Sequence, residues 1–390
     1  MVAPLTTRRH FFSQSAMASA ALLAAQGGIA QDAPRPLRLG FIGVGNRGSS
    51  LLRDTLEMKG VQVVSITDTY DVWRARAVVW CKEHYPAVTD YIKFERMISG
   101  EELDAVVIAT PDHIHAPAIL EAIEAGLDVY VEKPMTLTEA ESQAVVEAAK
   151  DKGTVLQVGT QLRSQPVYQK VREVVQSGEL GKLALVQVSR HYKGRNLATA
   201  TPPEEANENN VHWKTFLRHT QRYKYDPVRY FKWRRFRNYS NGYFGDLMLQ
   251  HLDMCHFVTG ATTPTRISAS GGIYLFDDGR TCPDTISALI EYPGQFQFNF
   301  ACTSTNGHYG LVERYLFSGG TIEVKGMTDI TIIRGDIKEE IKGEGINNTL
   351  HLQNFFDAIH SRGTTIAPVE AGAFAATITH RAMISTMGEA

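Results

Sequence analysis

Cysteine is scarce in this chain: Cys81, Cys255, Cys282 and Cys302 are the 4 in 390 residues, with no C-x-x-C pair among them. That excludes a disulfide framework, and each is expected as a small core residue. No H-E-x-x-H occurs. His251 and Asp253 stand two apart and diverge on a helix, while Asp253 and His256 can at most pair, so no metal is expected. Charge of either sign is not in excess, with 40 Lys and Arg against 42 Asp and Glu, a net of −2. Without a basic field, nucleic acid is not an expected partner. One stretch, 216–237, is locally rich in Lys, Arg and aromatics and reads as a loop beside an anionic cofactor or as plain surface. The alanine-rich run 16–25 is too short to span a bilayer, so no permanent membrane anchor is expected.

What is present begins with a turn. The apolar run from Leu37 ends in Gly43-Val44-Gly45-Asn46-Arg47-Gly48, and a helical pattern follows. Gly43 permits a tight strand-to-helix turn, Gly45 leaves the backbone open to a pyrophosphate, and Gly48 lets helix and strand pack closely. A second strand ends at Asp68, about 20 residues on, where an acid accepts ribose hydroxyls and repels a 2′-phosphate. The pattern predicts a dinucleotide site that prefers NAD; Arg74 and Arg76 keep NADP open.

The residues after this turn alternate strand and helix: strands at 37–42, 61–67, 105–109, 129–131 and 155–158, helices at 49–59, 72–83, 94–99, 116–125 and 139–150. Such alternation predicts a parallel sheet covered on both faces. Thr138 and Glu141 have capping-box spacing. Past about 160 the rhythm changes. A helix at 167–176 and a strand at 183–191 precede a long aperiodic stretch, 193–239, with a short helix at 212–218. A helix at 243–259 follows, then strands at 266–273, 284–292, 295–302, 314–318, 321–325 and 330–334, and closing helices at 350–360 and 371–387. Consecutive strands with short turns predict antiparallel pairing. The expected fold class is therefore α/β: an N-terminal Rossmann domain with a doubly wound parallel sheet at 37–160, and a C-terminal α+β domain at 161–390 with an open, mainly antiparallel sheet. That open face predicts a homo-oligomer.

Ligands of parallel sheets lie beyond the carboxyl ends of the strands. Two ends carry polar residues: Thr110-Pro111-Asp112-His113-Ile114-His115 and Glu132-Lys133-Pro134. Thr110 and Pro111 are expected to line the cleft, His115 to bond a ribose hydroxyl, Glu132 to hold the nicotinamide ribose, and Lys133 to reach the reacting hydroxyl. His113 reads as a surface-loop residue. Trp233, Tyr192, Tyr239 and Tyr243 are aromatic candidates for stacking.

The run from Thr110-Pro111 through Glu132-Lys133-Pro134, with Val158-Gly159-Thr160-Gln161 and Arg163, resembles the glucose–fructose oxidoreductase, inositol dehydrogenase and rhizopine-catabolism (Gfo/Idh/MocA) family. The resemblance covers nearly all of the chain after its leader. It implies an NAD(P)-dependent sugar or polyol oxidoreductase with Lys133 as the catalytic lysine, Gln161 at the cofactor and Arg163 at the substrate, where Tyr192 is the expected aromatic partner. It also implies a second catalytic segment with an Asp, a His four residues on, and an Asp three further. Here Asp246 and Asp253 keep the spacing, but Gln250 stands at the His position and His251 one later. Residues four apart on a helix lie within about 40° of each other and five apart about 140° round, so Gln250 should share the face of Asp246 and His251 should not. Gln cannot shuttle a proton. Either Lys133 does all the acid–base work, or a distortion brings His251 in, or the chemistry differs. Asp253 reads as structural.

The leader bears on mechanism. Thr7-Arg8-Arg9-His10-Phe11-Phe12 is a twin-arginine pattern, followed by the weakly apolar run and a small-residue cleavage site at 28–30. It predicts a signal peptide at 1–30, a linker at 31–36, passage through the twin-arginine machinery, and a periplasmic or secreted protein. No NADH pool exists there, so a nicotinamide cofactor must be tightly bound and recycled internally. Three functions meet that requirement: a sugar oxidoreductase moving hydride between a sugar hydroxyl and nicotinamide; a redox-neutral NAD-dependent glycosidase or lyase acting through transient oxidation of a ring hydroxyl; and a non-catalytic sugar-binding protein.

Overall fold

The computed structural model describes residues 35–193, 201–294 and 296–387. The expected leader, 1–30, lies outside the described residues, as does most of the 31–36 linker. Six strands, β1 (Leu37–Ile42), β2 (Val61–Thr67), β3 (Thr89–Tyr91), β4 (Ala105–Ile108), β5 (Asp128–Glu132) and β6 (Leu156–Gly159), pair in parallel in the order β3-β2-β1-β4-β5-β6. Side chains alternate across this sheet. On β4, Ala105 and Val107 face one core with Leu39, Phe41 and Leu51, while Val106 and Ile108 face another with Ile119 and Val129. Burial on both faces is why these strands read as continuous apolar runs. The order reverses between β1 and β4, which opens a crevice at their carboxyl ends.

Helices Asn46–Leu56 and Asp71–His84 cover one face. They are joined there by Asn348–Ser361 from far down the chain, whose Leu352, Phe355 and Phe356 pack into the same core. Helices Phe94–Gly100, Asp112–Glu124 and Glu139–Lys152 cover the other. Asp112–Glu124 starts well before the expected 116, and Pro117 is accommodated inside it. Glu139–Lys152 carries the expected capping box: Glu141 N–H donates to Thr138 Oγ1 at 3.2 Å, and Thr138 N–H donates to the Glu141 carboxylate at 2.9 Å.

The second sheet has eight strands: β7 (Leu183–His191), β8 (Arg266–Gly272), β9 (Thr285–Glu291), β10 (Gln297–Thr303), β11 (Leu311–Phe317), β12 (Thr321–Lys325), β13 (Asp329–Arg334) and β14 (Ile337–Ile341). Their order is β14-β13-β12-β11-β7-β10-β9-β8. Sequential neighbours are antiparallel, but β7 intervenes between β10 and β11 and runs parallel to β10. One face, with Val186, Val188, Ile286, Phe298 and Phe300, packs on helices Pro166–Ser177, Leu249–Thr259 and Val369–Ser385. The opposite face exposes Ala184, Gln187, Ser287 and Asn299. All four cysteines are buried and free, as small core residues.

The stretch read as aperiodic forms a fourth, aromatic core. Short helices Trp213–Leu217 and Pro227–Phe231 bring Trp213, Phe216, Tyr230, Phe231, Phe236 and Tyr239 around Tyr70, the third residue after β2. No helix among the described residues is long and apolar enough to cross a membrane.

Candidate active site

The crevice at the β1/β4 switch point opens into a cleft of about 570 Å³, lined from both halves of the chain. Its floor is the glycine turn. A Cβ on Gly43 would meet Ala109 O at 2.8 Å, one on Gly45 would meet the Trp73 ring at 2.9 Å, and one on Gly48 would sit 2.0 Å from Gly43 O. No side chain caps helix Asn46–Leu56, and Gly45, Asn46 and Arg47 at its start line the cleft, where the unpaired N–H groups of a first helical turn suit an anion. Asp68 closes β2. Its carboxylate accepts Val44 N–H at 2.8 Å and Tyr70 N–H at 2.9 Å, which fixes it while leaving lone pairs toward the cleft. Burial raises its pKa. Shape and donors together fit a dinucleotide.

Glu132, at the end of β5, accepts from Arg47 Nε and from Gln161 Nε2, both at 2.7 Å, and Gln161 also reaches Tyr130 Oη at 2.7 Å. The carboxylate thus joins the glycine turn, β5 and the residue after β6. Thr110 and Pro111 line the same cleft. His115 lines the cleft as well, but its ring is held by the backbone: Nδ1 lies 2.7 Å from Pro134 O and Nε2 2.9 Å from Thr110 O. Both nitrogens meet carbonyls, so its ring braces the lysine-bearing turn and has none left for a ribose hydroxyl. Burial lowers its pKa, and a neutral ring donates to one of the two. His113, expected at the surface, is buried because the aromatic segment covers it; Nε2 donates to Phe216 O at 2.8 Å, and burial lowers its pKa to about 4.

Lys133 extends into the cleft and meets Asp246 from the second half. Its Nζ donates to Asp246 O at 2.5 Å and Oδ1 at 3.2 Å. Arg234 Nε donates to the same Oδ1 at 3.3 Å, its guanidinium 4.1 Å from the Trp233 ring. Burial pushes the Asp246 carboxyl up, but the charges of Lys133 and Arg234 pull harder and hold it well below the usual carboxylate range. Asp246 sits in a wide π-helical turn, Phe244–Met248, that leads into Leu249–Thr259. Such turns recur at functional sites. The distortion does not bring His251 in. Gln250 lines the cleft with Asp246, whereas His251 is fully buried on the far side, its Nδ1 2.8 Å from Glu313 Oε2 and its Nε2 3.4 Å from Arg190 Nη1.

Arg163 lies outside the cleft. It grips Asp253 through two hydrogen bonds of 2.9 and 2.7 Å and donates to Ile366 O at 3.1 Å. Tyr192 is also outside, under the Arg190 guanidinium, where burial pushes its phenol up to about 12. Of the other aromatic candidates Trp233 lines the cleft, while Tyr239 and Tyr243 are buried in the cores. Arg234 and Asp112, which no motif in the sequence singles out, also line the cleft. Asp112 lines the cleft yet is only 4% exposed; burial pushes its carboxyl up to about 7, with Arg234 opposing and Asp246 adding to the rise. Its position directly after Thr110-Pro111 was the available signal. Among the described residues no group of three or more His, Cys, Asp or Glu could hold a metal ion.

An amine, two carboxyls, an amide and a guanidinium therefore face one volume beside a dinucleotide-shaped turn. Residues 37–160 match the oxidoreductase family described by an NAD-binding Rossmann fold, GFO_IDH_MocA. Inositol 2-dehydrogenase of Salmonella paratyphi B is 28% identical over 178 residues, 45% of this chain and 52% of that protein. A glycosyl hydrolase family 109 protein of Shewanella sp. (strain W3-18-1) is 36% identical over 118 residues, 29% of this chain and 26% of that protein. The chain thus spans about half the length of the inositol dehydrogenase it matches. Two solved structures share the fold. A levoglucosan dehydrogenase in complex with NADH and levoglucosan has a TM-score of 0.71 at 17% identity, over 91% of this chain and 98% of that one. The aldose-aldose oxidoreductase from Caulobacter crescentus has a TM-score of 0.72 at 18% identity, over 91% of this chain and 99% of that one. The glycine turn and the β5 lysine both lie within residues 37–160, the part of the chain that matches the NAD-binding Rossmann fold of the Gfo/Idh/MocA oxidoreductases.

Proposed function

We propose that this protein is an NAD-dependent carbohydrate oxidoreductase that keeps its cofactor and restores it within each cycle, oxidising a hydroxyl of one sugar or polyol and reducing a carbonyl of another. The observation that carries this reading is the contact of Lys133 with Asp246 inside the cleft that holds the glycine turn. A bound nicotinamide supplies the hydride acceptor and donor. The side chains manage binding and protons. In its free-amine form Lys133 Nζ accepts the proton of the hydroxyl being oxidised, and anionic Asp246 stabilises the ammonium so formed. Gln250 orients neighbouring hydroxyls through its amide, and Trp233 offers a flat apolar face to a sugar ring. The twin-arginine pattern at 7–12 supports export, and with it a retained cofactor. The open sheet face supports self-association.

A second reading is favoured by Gln250 standing where the family pattern has His, and by the glycosyl hydrolase relative. In it, transient oxidation of a ring hydroxyl sends a hydride to the nicotinamide and acidifies the adjacent C–H; the aglycone is eliminated, water adds to the resulting double bond, and return of the hydride to the ketone leaves no net redox change. Turnover of paired sugars and of glycosides in deuterium oxide separates the two. Paired oxidised and reduced sugars without carbon-bound deuterium support the first; aglycone release with deuterium at the carbon beside the oxidised one supports the second. Lys133→Ala is expected to lower either rate by roughly 10²–10⁴-fold. Absence of turnover on both substrate sets contradicts both readings and leaves a sugar-binding protein.

A further inference from the structure

The segment 210–236 is sewn to the loop that follows Asp68. Tyr70 and Val211 form an antiparallel bridge, Asp71 N–H donates to Asn210 O at 3.0 Å, and His212 N–H donates to Thr69 O at 2.7 Å. Side chains repeat the link: His212 Nε2 lies 2.8 Å from Asp71 Oδ1, and Tyr230 Oη 2.7 Å from Thr69 Oγ1. Farther along, Arg218 Nη1 donates to Glu95 Oε1 at 2.5 Å and its guanidinium lies 4.6 Å from the Phe94 ring. Arg218 has φ +47°, a conformation that side chains rarely adopt, so its placement is imposed by its surroundings. Its buried Nε has no hydrogen-bond partner among the described residues.

Position gives this arrangement its meaning. In a Rossmann sheet the acid that ends β2 faces the adenosine ribose. The residues just beyond that acid are the ones the segment grips, and Phe216, Arg218, Tyr230 and Phe231 line the cleft there together with Trp73 and Phe94. Behind them the rings of Phe216 and Tyr230 pack at 4.9 Å and those of Tyr230 and Phe231 at 4.8 Å, a continuous aromatic layer. A purine ring between such faces is stabilised by stacking and by a guanidinium over its π-system.

We propose that residues 210–236 form a wall enclosing the adenosine half of the dinucleotide, so that the nucleotide leaves slowly and stays with the protein over many turnovers. This rests on the nucleotide-binding reading above and extends it: the second half of the chain supplies part of the cofactor site as well as the substrate side. Release then requires the wall to loosen from 69–71 and from Glu95.

The test uses NADH and ADP-ribose on the full chain, with Tyr230→Phe, and with Tyr230→Phe combined with Arg218→Ala. NADH fluorescence after displacement by excess NAD gives the release rate, titration with ADP-ribose gives the affinity of the half without nicotinamide, and thermal unfolding of the nucleotide-free variants reports folding. The double variant is expected to release NADH at least tenfold faster and to lose ADP-ribose affinity by a similar factor. The single variant, which keeps its ring and so its packing, should move in the same direction. Release at the wild-type rate from a variant that binds NADH overturns the wall, as does a loss for NADH that ADP-ribose does not share. A wild-type chain that binds neither nucleotide overturns the underlying reading as well.

Discussion

Asp112 stands in an environment that opposes the ionised form usual for its type. Folding favours its protonated form, chiefly through burial, against the attraction of Arg234 and Lys133 and with the repulsion of Asp246. Between about pH 4 and about pH 7 the unfolded chain releases this proton before the native state does, so the native state loses stability as pH rises through that window. At about 1.4 kcal/mol per pKa unit the loss reaches at most about 4 kcal/mol above neutrality. Asp112→Asn keeps a hydrogen-bonding side chain and removes the ionisation. Its stability relative to wild type, from denaturant unfolding, should rise between pH 4 and pH 8; a difference that stays flat contradicts the shift. The same carboxyl stands beside Lys133 and Asp246, so it titrates where the substrate would sit.

At the scale of single elements, the glycine turn was legible because its glycines are required by backbone geometry. Gly48→Ala is expected to force the turn open, since its Cβ would stand 2.0 Å from Gly43 O. NADH binding should fall by at least tenfold and the unfolding temperature should drop; a variant that binds NADH as wild type does contradicts the close approach. Strands β2, β7 and β12 begin and end where the sequence reading places them, since apolar periodicity and turn residues agree at their ends. Strands β3 and β14 were not legible. The former is three residues, Thr89–Tyr91, and the latter, Ile337–Ile341, is a largely exposed, charged edge with no buried alternation to betray it. Of the aromatic segment only the short helix expected at 212–218 was legible, and it is found at Trp213–Leu217. The segment's buried rings sit on five-residue helices and turns, too short for any period to accumulate. The placement of Gln250 and His251 followed from helical angles even though the turn before them is wound wider.

Over the whole molecule, what sequence reasoning could not supply was which distant residues meet. Arg163 has the composition of a substrate ligand and the location of a tie. It joins the residues after β6 to helix Leu249–Thr259 through Asp253, both partners buried. Removing one member of such a pair leaves an uncompensated buried charge, at a cost of about 3–5 kcal/mol. Arg163→Ala should therefore destabilise the protein by that order in denaturant unfolding, and a change below about 1 kcal/mol contradicts a structural tie. Helix Asn348–Ser361 likewise returns to the first sheet, and its Asn348 accepts a hydrogen bond from Arg47 at 3.1 Å. The cleft is thus built by long-range closure, with the glycine turn and Lys133 on one side and Asp246, Gln250 and Arg234 on the other. The most direct measurement of that construction is native mass spectrometry of the purified protein, alone and with NAD or NADP added. The expected result is the mass of the chain plus one nicotinamide dinucleotide per chain, with NAD preferred; a bare chain under every one of these conditions contradicts it.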